Sequence, residues 1–310
     1  MKKQFYVLLL GLLIALCGCQ KNEEKEASYE TFAVAADGTK QLFSGDAKFK
    51  EEKYEEAYQN KNAAKEKRGS FLDVSDELVY EETEKNHFTG CPIDLYKGKT
   101  DSQVKYWYFS DTSTLYQYFN ERGLDIGIAA DAAEDEIYSA LEGLLVEKLL
   151  PEGVEINQLR RTVRTRMFTN TVEDGIPTLT ADSVDGYILP GENQETEYVI
   201  MYAYPIGGVD SYEMYVFTLT EAHALILYSA PRPEIFSLSD DAIDKKKMQE
   251  SVDNFCKEGF SKETGKKQTN GQFWYWNSEG KLEILTIMDV EYNRGDHTGG
   301  EIVELITTLE

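Results

Sequence analysis

An apolar run at residues 5–16, FYVLLLGLLIAL, sets the first limit on what the chain can fold into. It is too short to span a bilayer as a helix, which takes about 20 residues. Lys2 and Lys3 precede it, and Leu16-Cys17-Gly18-Cys19 follows it. Positive flank, short apolar core and small residue before a cut site are the three parts of a secretory signal peptide. The character then changes at once. Residues 20–30, QKNEEKEASYE, are polar and charged without apolar periodicity. Such a stretch buries too little surface to offset its ordering entropy and reads as a tether. The folding body is therefore expected downstream of it.

Leu16-Cys17-Gly18-Cys19 resembles a lipobox, with Leu at −3, Gly at −1 and Cys at +1. The resemblance implies a bacterial lipoprotein, cut after Gly18, with a diacylglycerol on the Cys19 thiol. Cys17 does not fit that role, because Leu16 would then sit at −1. More than one acyl chain at Cys19 anchors a chain stably. The implied location is the outer face of the cell membrane.

Removing residues 1–18 from the 310-residue chain leaves 292 residues, and losing Lys2 and Lys3 takes the net charge from −24 to −26. That is ample chain for a core. The charge opposes binding to phosphate backbones, so no nucleic-acid partner is expected. It also opposes lying flat on an anionic leaflet. The partners expected are the membrane, through the lipid, and a protein at the cell surface.

With Cys17 removed and Cys19 acylated, Cys91 and Cys256 remain. Outside the cytoplasm they could form a disulfide. That bond needs alpha carbons about 4.4–6.8 Å apart, which sequence alone does not fix. The alternative is two buried thiols acting as small hydrophobes. No CxxC motif or Cys/His cluster is present, so neither a metal nor a cofactor is expected.

Along the chain, residues 31–43 hold two short apolar pieces around Asp37-Gly38, a turn signal. Residues 46–68 read as a charged helix ended by Gly69. Residues 104–109, VKYWYF, read as an aromatic strand. Leu115, Tyr118, Phe119 and Arg122 fall at helical spacing, and Gly123 would end that short helix. Residues 124–129 alternate as a strand would. Asp131 is placed to cap a helix whose stripe is Ile137, Leu141, Leu144, Leu145 and Leu149. Strands follow over about 80 residues, with basic side chains alternating in 159–168 and a hairpin at Glu221-Ala222. A second helix is expected from 237–241 to Gly259, with stripe residues Ile243, Met248, Val252, Phe255 and Cys256. Residues 272–277, 282–292 and 302–309 read as a small meander.

The expected fold class is α+β: a central antiparallel sheet flanked by helices, with a helical N-terminal segment and a small β C-terminal extension. The expected divisions are signal peptide 1–18, tether 19–30, hairpin and charged helix 31–75, α+β domain 76–260 and β extension 261–310. The segment YEMYVFTLTEAHALILYSAPRPEIFS, followed downstream by VDNF, resembles the end of the PsbP-like fold. The resemblance spans roughly residues 76–260. It implies an antiparallel sheet with helices on both faces and a non-catalytic docking or assembly role, and it brings no functional residues with it.

The three histidines, His87, His223 and His297, have no histidine at i+3 or i+4 and read as solvated loop residues. No nucleophile elbow, S-x-x-K, P-loop or dinucleotide fingerprint occurs. Arg294-Gly295-Asp296 reads as turn chemistry. Asp240, Asp241 and Asp244 suit a helix start. Trp107, Trp274 and Trp276 are the candidate binding aromatics, with at least one expected in the core. The reading is an extracytoplasmic, non-catalytic binding or assembly module. The alternatives are a hydrolase using acidic residues and a small-ligand-capture lipoprotein.

Overall fold

A computed structural model describes residues 31–35, 40–43, 77–86, 89–110, 112, 114–169, 178–184, 194–258, 264–277, 280–294 and 297–309. The expected signal peptide, Cys19, the tether, the charged helix at 46–68, His87 and Gly259 lie outside them. The chain divides into two compact units.

The larger unit is built on nine strands: β3 (Leu78–Lys85), β4 (Pro92–Gly98), β5 (Lys105–Phe109), β6 (Leu115–Leu124), β7 (Arg160–Thr169), β8 (Thr178–Val184), β9 (Gln194–Ala203), β11 (Tyr215–Thr220) and β12 (Leu225–Ser229). Their order across the sheet is β3-β4-β5-β6-β12-β11-β9-β7-β8, and all neighbours are antiparallel. A two-residue strand β10 (Asp210–Ser211) folds back on Tyr204, whose backbone N–H donates to Ser211 Oγ at 2.8 Å.

Helix α1 (Glu134–Leu144) covers one face of this sheet. Its Ile137, Tyr138 and Leu141, followed by Leu145, are buried against Ile200, Tyr202, Phe217 and Tyr228. The spacing of three and four in that stripe is what turns one helix face inward. The core is rich in tyrosine, and Tyr96 and Tyr108 meet edge-on at 5.7 Å and 85°. The helix starts three residues after Asp131. Ala133 occupies the cap, and Glu136 reaches back to accept from the Ala133 N–H at 2.9 Å. Its end widens into a π-turn, Leu145–Leu149, where Leu150 N donates to Leu145 O at 2.8 Å. Tyr215 donates its hydroxyl to Leu149 O at 2.9 Å, satisfying a carbonyl at the helix end.

The smaller unit contains β1 (Thr31–Ala35), β2 (Lys40–Phe43), α2 (Lys245–Glu258), β13 (Thr264–Trp276), β14 (Leu282–Arg294) and β15 (His297–Thr308). Strands β13, β14 and β15 form an antiparallel meander, β1 joins β15 in parallel, and β2 pairs antiparallel with β1. Helix α2 packs Val252 and Phe255 against Met288, Val303 and Leu305. Asp244 Oδ1 caps it, accepting from Lys246 N at 3.0 Å and Lys247 N at 3.1 Å.

These findings overturn the α+β expectation. The described residues form fifteen strands and two α-helices, so the protein is mostly β. The C-terminal segment is no small extension, because β13 and β14 run to 13 residues each. The expected sheet between two helical layers fails too, since α2 packs within the other unit. The expected helical N-terminal segment lies outside the described residues. Three local readings also change. Residues 115–122 form strand β6, because Tyr116, Tyr118 and Phe119 pack between β5 and β12, and pairing on both sides outweighs helical spacing. Residues 125–129 form a loop. Short 3-10 turns, Pro233–Ser237 and Asp240–Ala242, stand where the second helix was expected to begin.

Candidate functional site: the Arg161 cleft

Four of the chain's eight arginines lie in one strand, in the segment RRTVRTR. Strand alternation sends them to opposite faces of the sheet. Each meets a carboxylate from another element: Arg160 with Asp210 at 3.1 Å, Arg161 with Glu142 at 2.7 Å, Arg164 with Asp182, and Arg166 with Glu197, its oppositely charged cross-strand neighbour. Arg166 and Glu197 illustrate the buried case. Desolvation lowers the Arg166 guanidinium and raises the Glu197 carboxyl, and their mutual attraction opposes both shifts.

Arg161 differs from the others because it borders a cleft. The cleft holds about 400 Å³ and is lined by Glu142, Ile156, Asn157, Leu159, Arg161 and Tyr202, all within the larger unit. Tyr138 and Glu142 stand one helical turn apart on α1, so one arginine spans both. The Arg161 guanidinium carbon lies 3.9 Å from the Tyr138 ring centroid, while Nη1 donates to Glu142 Oε1. Burial works against the charge, but Tyr202, Glu142 and Tyr138 outweigh it and hold the guanidinium protonated. Downstream of Glu142 and the π-turn, the 3-10 turn Ile156–Gln158 contributes Ile156 and Asn157 to the lining. Glu155 N donates to Gln158 Oε1 at 2.8 Å and Asn157 Nδ2 to Glu155 Oε2 at 3.2 Å, fixing that rim. A π-turn is a rare element often found at functional sites.

A second constellation is deeply buried. Arg232 donates through Nε to both Glu213 oxygens, at 3.0 and 3.1 Å, and through its backbone N at 3.3 Å. Its Nη1 reaches Cys91 Sγ at 3.0 Å. Burial pushes the Glu213 carboxyl up, and Arg232 pulls it back. Tyr116, buried near Glu213 and accepting from Asn86 Nδ2 at 3.2 Å, is also pushed up by burial. Cys91 is only 4% exposed, which shuts substrate out and makes this a structural tie.

The residues singled out by sequence fall apart in the fold. Trp107 and Trp274 are core side chains, and Trp107 Nε1 donates to Glu84 at 2.8 Å. Trp276 is half-buried in β13. Cys91 and Cys256 are both carried as thiols, in different units. His223 is not a solvated loop residue. It is buried at the β11–β12 turn with φ 62°, and Nδ1 lies 2.8 Å from Ala129 O. Asp240 accepts from Gly207 N at 3.2 Å, and Ser239 holds Asp241 below its usual range, so local hydrogen bonds account for that acidic cluster. Among the described residues, no group of three His, Cys, Asp or Glu side chains could hold a metal ion. Nor is any helix there long and apolar enough to cross a membrane.

Sequence reading missed the Arg161 cleft. The signal available was the clustering of arginines in an acidic chain, beside a helix that repeats Tyr138 and Glu142 at i, i+4. No family model matches the chain, and neither the curated proteins nor the solved structures provide a match.

Proposed function

We propose that the chain is a bacterial lipoprotein held at the outer face of the cell membrane through Cys19. Its folded body acts as a non-catalytic binding module, and the Arg161 cleft is its contact site. The observation that carries the anchor is the succession of Lys2-Lys3, the apolar run 5–16 and Leu16-Cys17-Gly18-Cys19. The cleft supports the binding role. It offers a half-exposed guanidinium, a carboxylate, the Tyr202 side chain and two apolar side chains, the mixture typical of small-ligand sites. The hydrolase alternative has less behind it. Such chemistry needs two carboxylates with separated proton affinities facing a substrate, whereas Glu213 has both oxygens bound by Arg232.

The test is metabolic labelling with radioactive palmitate in a bacterial host, followed by fractionation. The wild-type chain should take up label and remain with membranes. The Cys19→Ser variant should take up none. An unlabelled wild-type chain in the soluble fraction would refute the anchor.

A further inference from the structure

We infer that the Arg161 cleft binds a zwitterionic small molecule of the α-amino-acid class with an apolar side chain. The inference rests on the binding-module reading above and names its ligand.

Arg161 carries five N–H donors in a planar fork. Only Nη1 is hydrogen-bonded, to Glu142 Oε1. The side chain is 39% exposed, so the remaining donors face the cleft and solvent. A planar fork of this kind matches a carboxylate through two parallel bonds. Tyr138 under its face fixes the fork's plane. Glu142, 35% exposed, brings a carboxylate to the same opening. One cleft therefore presents a cation and an anion side by side, the reverse of a ligand carrying a carboxylate and an ammonium on one carbon.

Opening the Arg161–Glu142 pair is inexpensive because exposed pairs add little stability. On binding, each partner would exchange the other for the complementary ligand group, so no charge is left alone.

 
Both side chains, Ile156 and Leu159, are half-buried in the wall and can cover an aliphatic or aromatic group. Overall charge favours the same class. A net charge of −26 on the processed chain repels a simple anion at long range and leaves a zwitterion unaffected. A cleft of about 400 Å³ lies in the range of small-ligand sites and is too small for a folded partner.

The experiment is isothermal titration of the full-length chain in detergent with three ligands of similar shape: leucine, 4-methylpentanoate, which lacks the amine, and 3-methylbutylamine, which lacks the carboxylate. Leucine should bind at a single saturable site, and loss of either charged group should weaken binding by about tenfold or more. Arg161→Ala should weaken leucine binding by about tenfold or more, and Glu142→Gln should do the same while binding 4-methylpentanoate at least as tightly as wild type. Matching thermal melts would show that both variants fold. The inference is overturned if leucine binds no better than 4-methylpentanoate, or if Arg161→Ala leaves leucine binding unchanged. A wider panel of sugars, phosphates and nucleosides tests the ligand class separately from the binding module. Arg161-dependent binding of one of these, with none of leucine, overturns the ligand class but keeps the binding module. Absence of binding by every compound removes both.

Discussion

Arg232 grips Glu213 through its side-chain Nε and its own backbone N–H, and the pair is almost wholly withdrawn from water. It ties the end of β12 to the approach to β11, and through Cys91 to the start of β4. Removing one partner of a buried pair strands the other charge. Arg232→Ala should therefore lower stability by about 3–5 kcal/mol, measured by guanidinium denaturation. A loss below about 1 kcal/mol, the scale of an exposed pair, would show that the tie is not structural.

The same burial gives stability a pH dependence with a definite sign. Desolvation raises Glu213 despite Arg232, and raises Glu197 despite Arg166. The folded chain therefore holds protons at a pH where the unfolded chain has released them. Their contribution is fully present below the unfolded carboxyl pKa and is lost as pH rises through the folded one. Melting temperatures taken upward from acid pH should show wild type losing stability relative to Glu213→Gln, which cannot titrate. The opposite slope in that difference would contradict the assignment.

The cleft pair should behave in the contrary way. Glu142 and Arg161 are half-exposed, so Glu142→Gln should change unfolding free energy by less than about 1 kcal/mol. Chemical denaturation measures this directly. A large loss would mean that the pair holds α1 onto the sheet and is not there for a ligand.

Gly123 closes β6 where it meets β12. It has φ +77°, and a Cβ added there would lie 2.7 Å from Ala224 Cβ. Gly123→Ala combines a left-handed backbone with overpacking, and should destabilise by about 2–4 kcal/mol. A thermal melt indistinguishable from wild type would place this strand end elsewhere.

Parts of this fold can be read from the chain. The aromatic run of residues 104–109 gives β5, and Ile137, Leu141 and Leu145 give the inward stripe of α1. The reading fails where two periods coexist. Leu115, Tyr118, Phe119 and Arg122 fit a helix, but β6 is held between β5 and β12, and β12 lies more than 100 residues later. No local pattern encodes a partner at that distance. The candidate site fails for a similar reason. Arg161 and Glu142 are 19 residues apart, and only docking of α1 on the sheet brings them together. Tryptophans drew notice as binding residues, but large rings are also what a core needs, and Trp107 and Trp274 went there. His223 sits in a turn whose Glu221 and Ala222 are exposed, and only the fold reveals that its ring turns inward onto Ala129 O.

The lipid-held body outside the cell stands or falls on intact-mass and N-terminal peptide analysis of the native chain from membranes. The predicted result is a polypeptide that begins at Cys19, heavier than its sequence from that residue by a diacylglycerol, with or without a further acyl group. A chain that retains residues 1–18 and carries no lipid would contradict it.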